Sequence, residues 1–381
     1  MSTATEPART GGLPRGVLVL VGLAAAVVVV AGLKAAGSIF APLFLALILT
    51  VLAHPLRRWL DRGMPSWVAS AICIAAVYLL LVGLAVAMLV SIAKFGSVLP
   101  SYADQFQQQL DSFMSWLHKV GVSESDIKKA ESSFNLSSLG GFFTSLLSQL
   151  AGIVSNLFFI FALILFMTVD ATTFPKNLER ARAVKPAIID SLEDFAHGTR
   201  RYLGVATVFG LIVAVLDTGA LLLLGVPLAF TWGLLAFITN YIPNIGFVIG
   251  LIPPAIIALL EGGPGLMLAV IAVYCVLNVV IQSVIQPKVV GDAVGLSTTL
   301  SFFSLIFWTW VVGPLGAILA IPLTLFAKAL LVDSDSSIAW LGPLISNTHD
   351  DTEPAAPDPA PDPAPSPPAE PPAGPAVSPG S

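Results

Sequence analysis

PLAFTWGLLAFITNYIPNIGFVIGLIPPAIIALL, residues Pro227–Leu260, is the stretch on which the fold turns. It holds 34 residues and no charge. As one straight helix it would reach about 50 Å, against a hydrocarbon core of roughly 30 Å. It is also interrupted, by Asn240-Tyr241-Ile242-Pro243-Asn244-Ile245-Gly246 and again by Pro253-Pro254. A second long run, Leu296–Leu331, repeats the design, with breaks at Gly313-Pro314-Leu315-Gly316 and at Pro322. Lined up, Ile242-Pro243 with Ile252-Pro253 echoes Gly313-Pro314 with Ile321-Pro322. Backbone groups freed by Pro and Gly at membrane depth must be satisfied by protein or by a watery cavity. Paired, interrupted segments of this kind are the sequence mark of a transporter's binding region. Two arrangements fit. If both runs are re-entrant hairpins, the single span Pro264–Ile285 between them makes them enter from opposite faces and places Lys288 on the cytoplasmic side. If each crosses once as a kinked helix, the C-terminus keeps its side and Lys288 falls outside.

Composition away from this stretch agrees with a membrane setting. Of 381 residues, 56% are hydrophobic and 11% charged, with mean hydropathy +0.88; soluble domains carry roughly 25% charged residues. Further apolar runs lie at Val17–Leu33, Ile39–Ala53, Trp67–Ile92, Leu150–Val169, Gly204–Leu224 and Pro264–Ile285. The last has no charge and Gly204–Leu224 has one, Asp217. These runs define an all-α integral membrane protein of six to eight membrane segments, two of them broken helices or re-entrant hairpins. The run after Arg15 is read as a retained first span and not a cleaved signal peptide, because a second run follows at once.

Three regions are expected: a disordered lead at 1–14, a polytopic transporter domain at 15–345, and a disordered tail at 346–381. The tail reads APDPAPDPAPSPP and has too little apolar surface to fold. Basic residues set the orientation. With a cytoplasmic N-terminus, Arg57, Arg58 and Arg62 fall inside, as do Lys176, Arg180, Arg182, Lys185, Arg200 and Arg201. The segment 94–147 then lies outside, and both termini are cytoplasmic. Within it Tyr102, Phe106, Leu110, Phe113 and Leu117 recur at helical spacing, an amphipathic helix for the membrane surface or a neighbouring helix. A second such face, Ile188, Leu192, Phe195 and Tyr202, precedes the Gly204–Leu224 run.

Signatures of catalysis are not seen. There is no phosphate-binding G-x-x-x-x-G-K-[ST] loop and no G-x-S-x-G elbow. His54, His118, His197 and His349 are scattered without metal-ligand spacing, and Cys73 and Cys275 sit in apolar runs as small hydrophobes. Neither an enzyme nor a cofactor or metal site is expected. No basic patch interleaved with aromatics offers a surface to nucleic acid, so the partners are the bilayer and a solute. Driving force must come from a gradient or a partner.

Polar residues inside the spans are few. Asp217 is ionisable within its span, a position that marks ion or proton paths, although a carboxylate reaching the interface would look the same. Asn278 and Gln282 are four apart on one helix face, suited to a solute path or to helix–helix hydrogen bonding. Asn240 and Asn244 flank the break at Pro243, where helix ends already make a polar niche.

The ordered series Asn240–Gly246, Ile252-Pro253-Pro254, Gln286-Pro287-Lys288-Val289-Val290-Gly291, Gly295-Leu296, Gly313–Gly316 and Ile321-Pro322-Leu323 resembles the autoinducer-2 exporter family of bacterial membrane proteins, the PerM-like permeases. The resemblance covers roughly 17–332, and its motifs are concentrated in the C-terminal half. It implies export or exchange across the bacterial cytoplasmic membrane. Some members are linked to efflux of the furanone-derived signal autoinducer-2, others to exchange of sodium or lithium for protons. It further implies a ring-shaped homo-oligomer, a pentamer, with a moving transport region. Carried onto this chain, the positions it marks are Asn240, Tyr241, Pro243, Asn244 and Gly246, then Pro253, Gln286, Pro287 and Lys288, then Gly313, Pro314 and Gly316. Many relatives have Glu where this chain has Gln286, so an ionisable group is missing there.

Three functions follow as expectations. The first is a secondary exporter of a small polar organic solute such as autoinducer-2. The second is a monovalent cation (Na/Li)/proton antiporter working through Asp217. The third is a membrane scaffold that transports nothing.

Overall fold

The computed structural model describes residues 14–119, 141, 145, 148, 151–152, 156–170, 174–243, 245–286, 288 and 296–334. The lead before residue 14, the tail from 346, Asn244, Pro287 and most of the segment between Lys119 and Leu157 lie outside them, as do the motif residues Val289–Gly295.

Among the described residues the chain is helical, with no strand. Its helices are α1 (Arg15–Ala35), α2 (Gly37–Leu60), α3 (Ser66–Val98), α4 (Ala103–Lys119), α5 (Leu157–Asp170), α6 (Phe174–Arg182) and α7 (Pro186–Leu223). There follow α8 (Ala229–Thr239), α9 (Gly246–Asn278), α10 (Thr298–Val312), α11 (Pro314–Ile318) and α12 (Ala320–Lys328). Helices α2, α3, α7 and the stretch Gly246–Ile285 are long and apolar enough to cross a membrane. Many large apolar side chains are left exposed, on these spans (Leu79, Leu80, Val208, Val215 and Leu223) and on α1, α5 and α10 (Val28, Phe158 and Phe303). That distribution is expected where lipid and not water is the solvent, and this is a multi-pass membrane protein.

Helix α7 departs from the sequence reading. The amphipathic stretch and the apolar run join into one helix of 38 residues, so Arg200 and Arg201 lie inside it and not in a connection. One buried stripe explains the continuity: Ser191, Phe195, Thr199, Leu203, Ala206, Gly210, Ala214, Asp217 and Leu221 recur at spacings of three and four. Its residues at 206, 210 and 214 are small, which lets another helix approach closely.

That helix is α8, which runs back along α7. Asn240, just past the end of α8, meets Ala206 and Gly210, while Gly233 meets Ala214 and Thr218. Then Val226, Ala229 and Trp232 pack with Leu221. After the turn, the first part of α9 returns beside α8, with Gly250 against Ala236 and Thr239. Leu224, Val226 and Leu228 before α8, and Leu260, Leu266 and Met267 after the return, share one apolar cluster with Phe95, Tyr102 and Phe106. The tip residues Tyr241, Ile242 and Ile245 pack in another, with Leu203 and Leu323. Both ends of the 227–260 run therefore lie together, away from its tip. It is a helical hairpin, not one kinked crossing. Its first leg has 11 residues, about 16 Å, too short for a hydrocarbon core. Entry to the hairpin is held at Leu228, whose φ of 61° is left-handed for a branched residue; Trp232 Nε1 donates to the Pro227 carbonyl at 3.0 Å across this corner.

The expected break at Pro253-Pro254 is not one. Helix α9 passes through both prolines, which are buried, and packing of Leu251, Ala255, Ile257, Ala258 and Leu260 holds it helical. The interruption falls instead at Gly263, with φ 73° and ψ −170°, followed by Pro264. Gly313 repeats this conformation, φ 84° and ψ −157°, followed by Pro314 as first residue of α11. Such values are open essentially to glycine alone, and Pro at the first helical position costs no hydrogen bond. The true internal echo is thus Gly263-Pro264 with Gly313-Pro314, not Ile242-Pro243 with Gly313-Pro314. Pro322 also breaks nothing: it lies in the first turn of α12, where its missing N–H has no intrahelical partner to lose.

The second broken run is a hairpin as well. Helix α10 ends at Gly313, and α11 and α12 fold back on it. A Cβ on Gly316 would lie 2.1 Å from the Trp308 carbonyl oxygen, and Trp308 Nε1 donates to Thr324 Oγ1 at 2.9 Å. Within the segment 94–147, α4 is a helix; Tyr102 and Phe106 pack on the base of the first hairpin. Leu110, Phe113 and Leu117 have side chains outside the described set.

Candidate functional site

Asn240 sits where α8 ends, and its neighbours explain its orientation. Its Nδ2 donates to the Ala206 carbonyl at 2.9 Å, and Gly210 leaves the room, since a Cβ there would lie 2.7 Å from the same nitrogen. Asn240 Oδ1 accepts from Gln282 Nε2 at 2.9 Å. The same Gln282 amide donates to Asn278 Oδ1 at 2.9 Å, and Asn278 Nδ2 donates back to the Tyr274 carbonyl at 2.8 Å. Three carboxamides from the hairpin tip and the following span thus form one chain. Both hydrogens of the Gln282 amide are engaged, whereas its carbonyl oxygen has no hydrogen-bond partner among the described residues.

The chain continues past the tip. Tyr241 shares a hydrogen bond of 2.8 Å with Thr207, and its carbonyl accepts from the Tyr202 hydroxyl at 2.9 Å. In the other direction Tyr274 and Asn278 of α9, and Gln282 of the π-helical segment Val279–Ile285 that continues it, follow at four-residue spacing, and Ile281 of that segment packs with Val205, Phe209 and Val213 of α7. Tyr274 and Asp217 are both 1% exposed and lie within electrostatic reach of each other. Neither carboxylate oxygen of Asp217, nor the Tyr274 hydroxyl, has a hydrogen-bond partner among the described residues. A buried polar atom left unpaired is costly, and three of them meet at this end of the seam among the described residues.

Asn240, Tyr241, Asn278 and Gln282 are therefore brought together as one seam, with Asp217 at its end. The sequence reading put Tyr202 on a packing face and did not mark Thr207; both are on α7 and join the seam through Tyr241. The other marked positions have different places. Pro243 is half-buried in the hairpin tip, and Gly246 begins α9 where a Cβ would lie 1.9 Å from the Thr239 carbonyl oxygen. Pro253 is buried within α9. Gln286 is half-buried one turn beyond Gln282, and Lys288 is exposed; neither hydrogen-bonds to the carboxamides. Gly313, Pro314 and Gly316 shape the second hairpin and bring no polar side chain to the seam. Its tip lies beside α2, the Val311 carbonyl oxygen being 3.5 Å from the position of a Cβ on Gly37.

What the arrangement offers is a set of neutral amide and hydroxyl groups, with one carboxylate apart from them, inside a bundle interrupted by two hairpins. That defines a polytopic membrane transporter of the broken-helix type. The profile described as AI-2E family transporter matches residues 23–334, and the chain belongs to this family. It is 31% identical over 323 residues to the AI-2 transport protein TqsA of Escherichia coli (strain K12), covering 83% of this chain and 92% of TqsA. It is also 31% identical to YhhT of the same strain over 314 residues, 82% of this chain and 90% of that protein. A Haemophilus influenzae relative is 29% identical over 333 residues, 84% of this chain and 94% of its own length.

Proposed function

We propose that the protein is a secondary transporter that exports a small, neutral, polar organic solute of the autoinducer-2 type across the bacterial cytoplasmic membrane. On this reading it works as a homo-oligomer with both termini cytoplasmic. The observation that carries it is the carboxamide chain of Asn240, Gln282 and Asn278 at the first hairpin's tip. Amides paired to one another can exchange those bonds for the hydroxyls of a solute at little net cost, because each donor and acceptor stays satisfied. A site built to hydrogen-bond hydroxyls rejects analogues that lack them. The role carried in the name of TqsA, AI-2 transport, points to the same solute class.

The test is flux in proteoliposomes containing the full chain, with autoinducer-2 as solute under imposed sodium or proton gradients. Gradient-dependent movement of the solute supports export; none, with intact incorporation, ends that reading.

A second reading has its own observation. It is supported by Asp217, buried beside Tyr274 with neither oxygen hydrogen-bonded among the described residues, since ionisable residues inside spans mark ion or proton paths. Antiport predicts that Asp217→Asn removes sodium- or lithium-dependent proton movement in the same vesicles. Unchanged proton movement in that variant excludes antiport through this residue.

A further inference from the structure

A second cluster lies apart from the seam, where the end of α2 meets α7. Arg200 Nη1 approaches His54 Nδ1 to 3.5 Å, and Arg57 and Arg58, one turn further along α2, act electrostatically on the same imidazole. One carboxylate stands among them: Asp61 Oδ2 is 3.8 Å from Arg57 Nε, beyond hydrogen-bond distance. Arg57 Nε is buried without a hydrogen-bond acceptor among the described residues, although the side chain as a whole is 14% exposed. Arg200 is pinned from behind, its Nε donating to the Ala196 carbonyl at 3.1 Å, which turns the guanidinium towards His54. Three arginines thus act on one imidazole, with Asp61 the counter-charge beside them among the described residues, a repulsive arrangement unless an anion joins them. On the same turns of α2, Leu56 and Trp59 are exposed, Trp59 to 66%. An exposed Trp beside arginines at the end of a span is the setting of the headgroup level, with apolar surface below it and charge above.

We infer that Arg57, Arg58, Arg200 and His54 form a seat for a phosphate-bearing anion. The guanidinium fork matches two phosphate oxygens, which an ammonium does not, and basic pockets between spans hold anionic headgroups. The phosphate comes either from a phosphodiester lipid, whose chains then lie along Leu56 and Trp59, or from a free phosphate ion. The inference is independent of the solute carried at Asn240 and Gln282.

The full-length protein, reconstituted in phosphatidylcholine nanodiscs with and without phosphatidylglycerol, is examined by native mass spectrometry after release, and for thermal stability with inorganic phosphate. The native chain is expected to retain phosphatidylglycerol over phosphatidylcholine, and Arg57→Gln/Arg200→Gln to reduce that retention about tenfold or more, the worth of one charged hydrogen bond. Arg182→Gln, a residue already paired with Glu193 and Asp190, is expected to change nothing. Stabilisation by inorganic phosphate that the double variant loses supports the seat and names free phosphate as a source; selective lipid retention without it names the lipid. Arg57→Lys/Arg200→Lys keeps charge while losing the fork, and is expected to retain an intermediate amount; it decides the matter where the Gln variant does not purify. Retention of phosphatidylglycerol equal to native in either double variant, or no response of the native chain to lipid or phosphate, overturns the inference and leaves the arginines a role in orientation alone.

Discussion

Gly246→Ala tests the closure of the first hairpin with a single methyl. The added carbon would lie 1.9 Å from the Thr239 carbonyl oxygen and 2.8 Å from its carbon, where ordinary contact begins near 3.4 Å. The obstacle is backbone, so no side chain can swing aside, and the turn must open by about 1.5 Å. That carbonyl also accepts from Ile242 N at 2.8 Å, so opening strains the bond that makes the turn. Overpacking costs about 1–3 kcal/mol, and a weakened turn hydrogen bond about 1 kcal/mol more. The expected loss is therefore about 2–4 kcal/mol. Gly265→Ala is the control: it lies just beyond the Gly263-Pro264 interruption with nothing within 4 Å of its Cβ, and is expected to be neutral or stabilising by about 0.5–1 kcal/mol. Thermal unfolding of both purified variants, followed by tryptophan fluorescence, measures the difference. If Gly246→Ala unfolds at the native temperature, the two legs do not pack as described and the reasoning fails.

Three further outcomes follow from the packing. Gly233→Ala places a carbon 1.8 Å from Thr218 Oγ1 and 3.0 Å from the Ala214 carbonyl oxygen, and is expected to cost about 1–3 kcal/mol; adding Thr218→Ala should restore part of the stability, as the same unfolding assay would show. Trp308→Phe removes the hydrogen bond to Thr324 Oγ1 that ties α10 to α12, and should cost about 1 kcal/mol or more by that measure. Burial and the hydrogen bond to Glu261 push the Tyr102 hydroxyl up from 10.0 to about 12. The raised value means that this contact stabilises fully below pH 10 and is lost as pH rises towards 12. The native chain and Tyr102→Phe should therefore differ in stability at neutral pH and converge above that range.

The membrane class was legible in composition, and the first hairpin in the clash between the length of Pro227–Leu260 and its central break. The location of the joints was less legible. Pro253-Pro254 reads as a breaker because sequence carries the lost donors but not the packing that keeps α9 helical through them. Gly263-Pro264 was hidden at the start of a span, since only the backbone angles reveal that it matches Gly313-Pro314. In the site, Asn278 and Gln282 were legible from their spacing. Their link to Asn240 crosses 42 residues. It depends on α8 lying in the small-residue groove of α7, which no local pattern encodes. Tyr202 and Thr207 were not legible as site residues because their helix, one of 38 residues, reads in the sequence as two pieces.

The central claim is that the carboxamide chain at the hairpin tip carries the solute. The direct measurement is initial autoinducer-2 flux into or out of proteoliposomes at sub-saturating solute, for the native chain and for Gln282→Leu matched for incorporation and thermal stability. Removing a residue whose amide engages both Asn240 and Asn278 is expected to lower flux about tenfold or more. Flux in Gln282→Leu equal to that of the native chain would contradict the account.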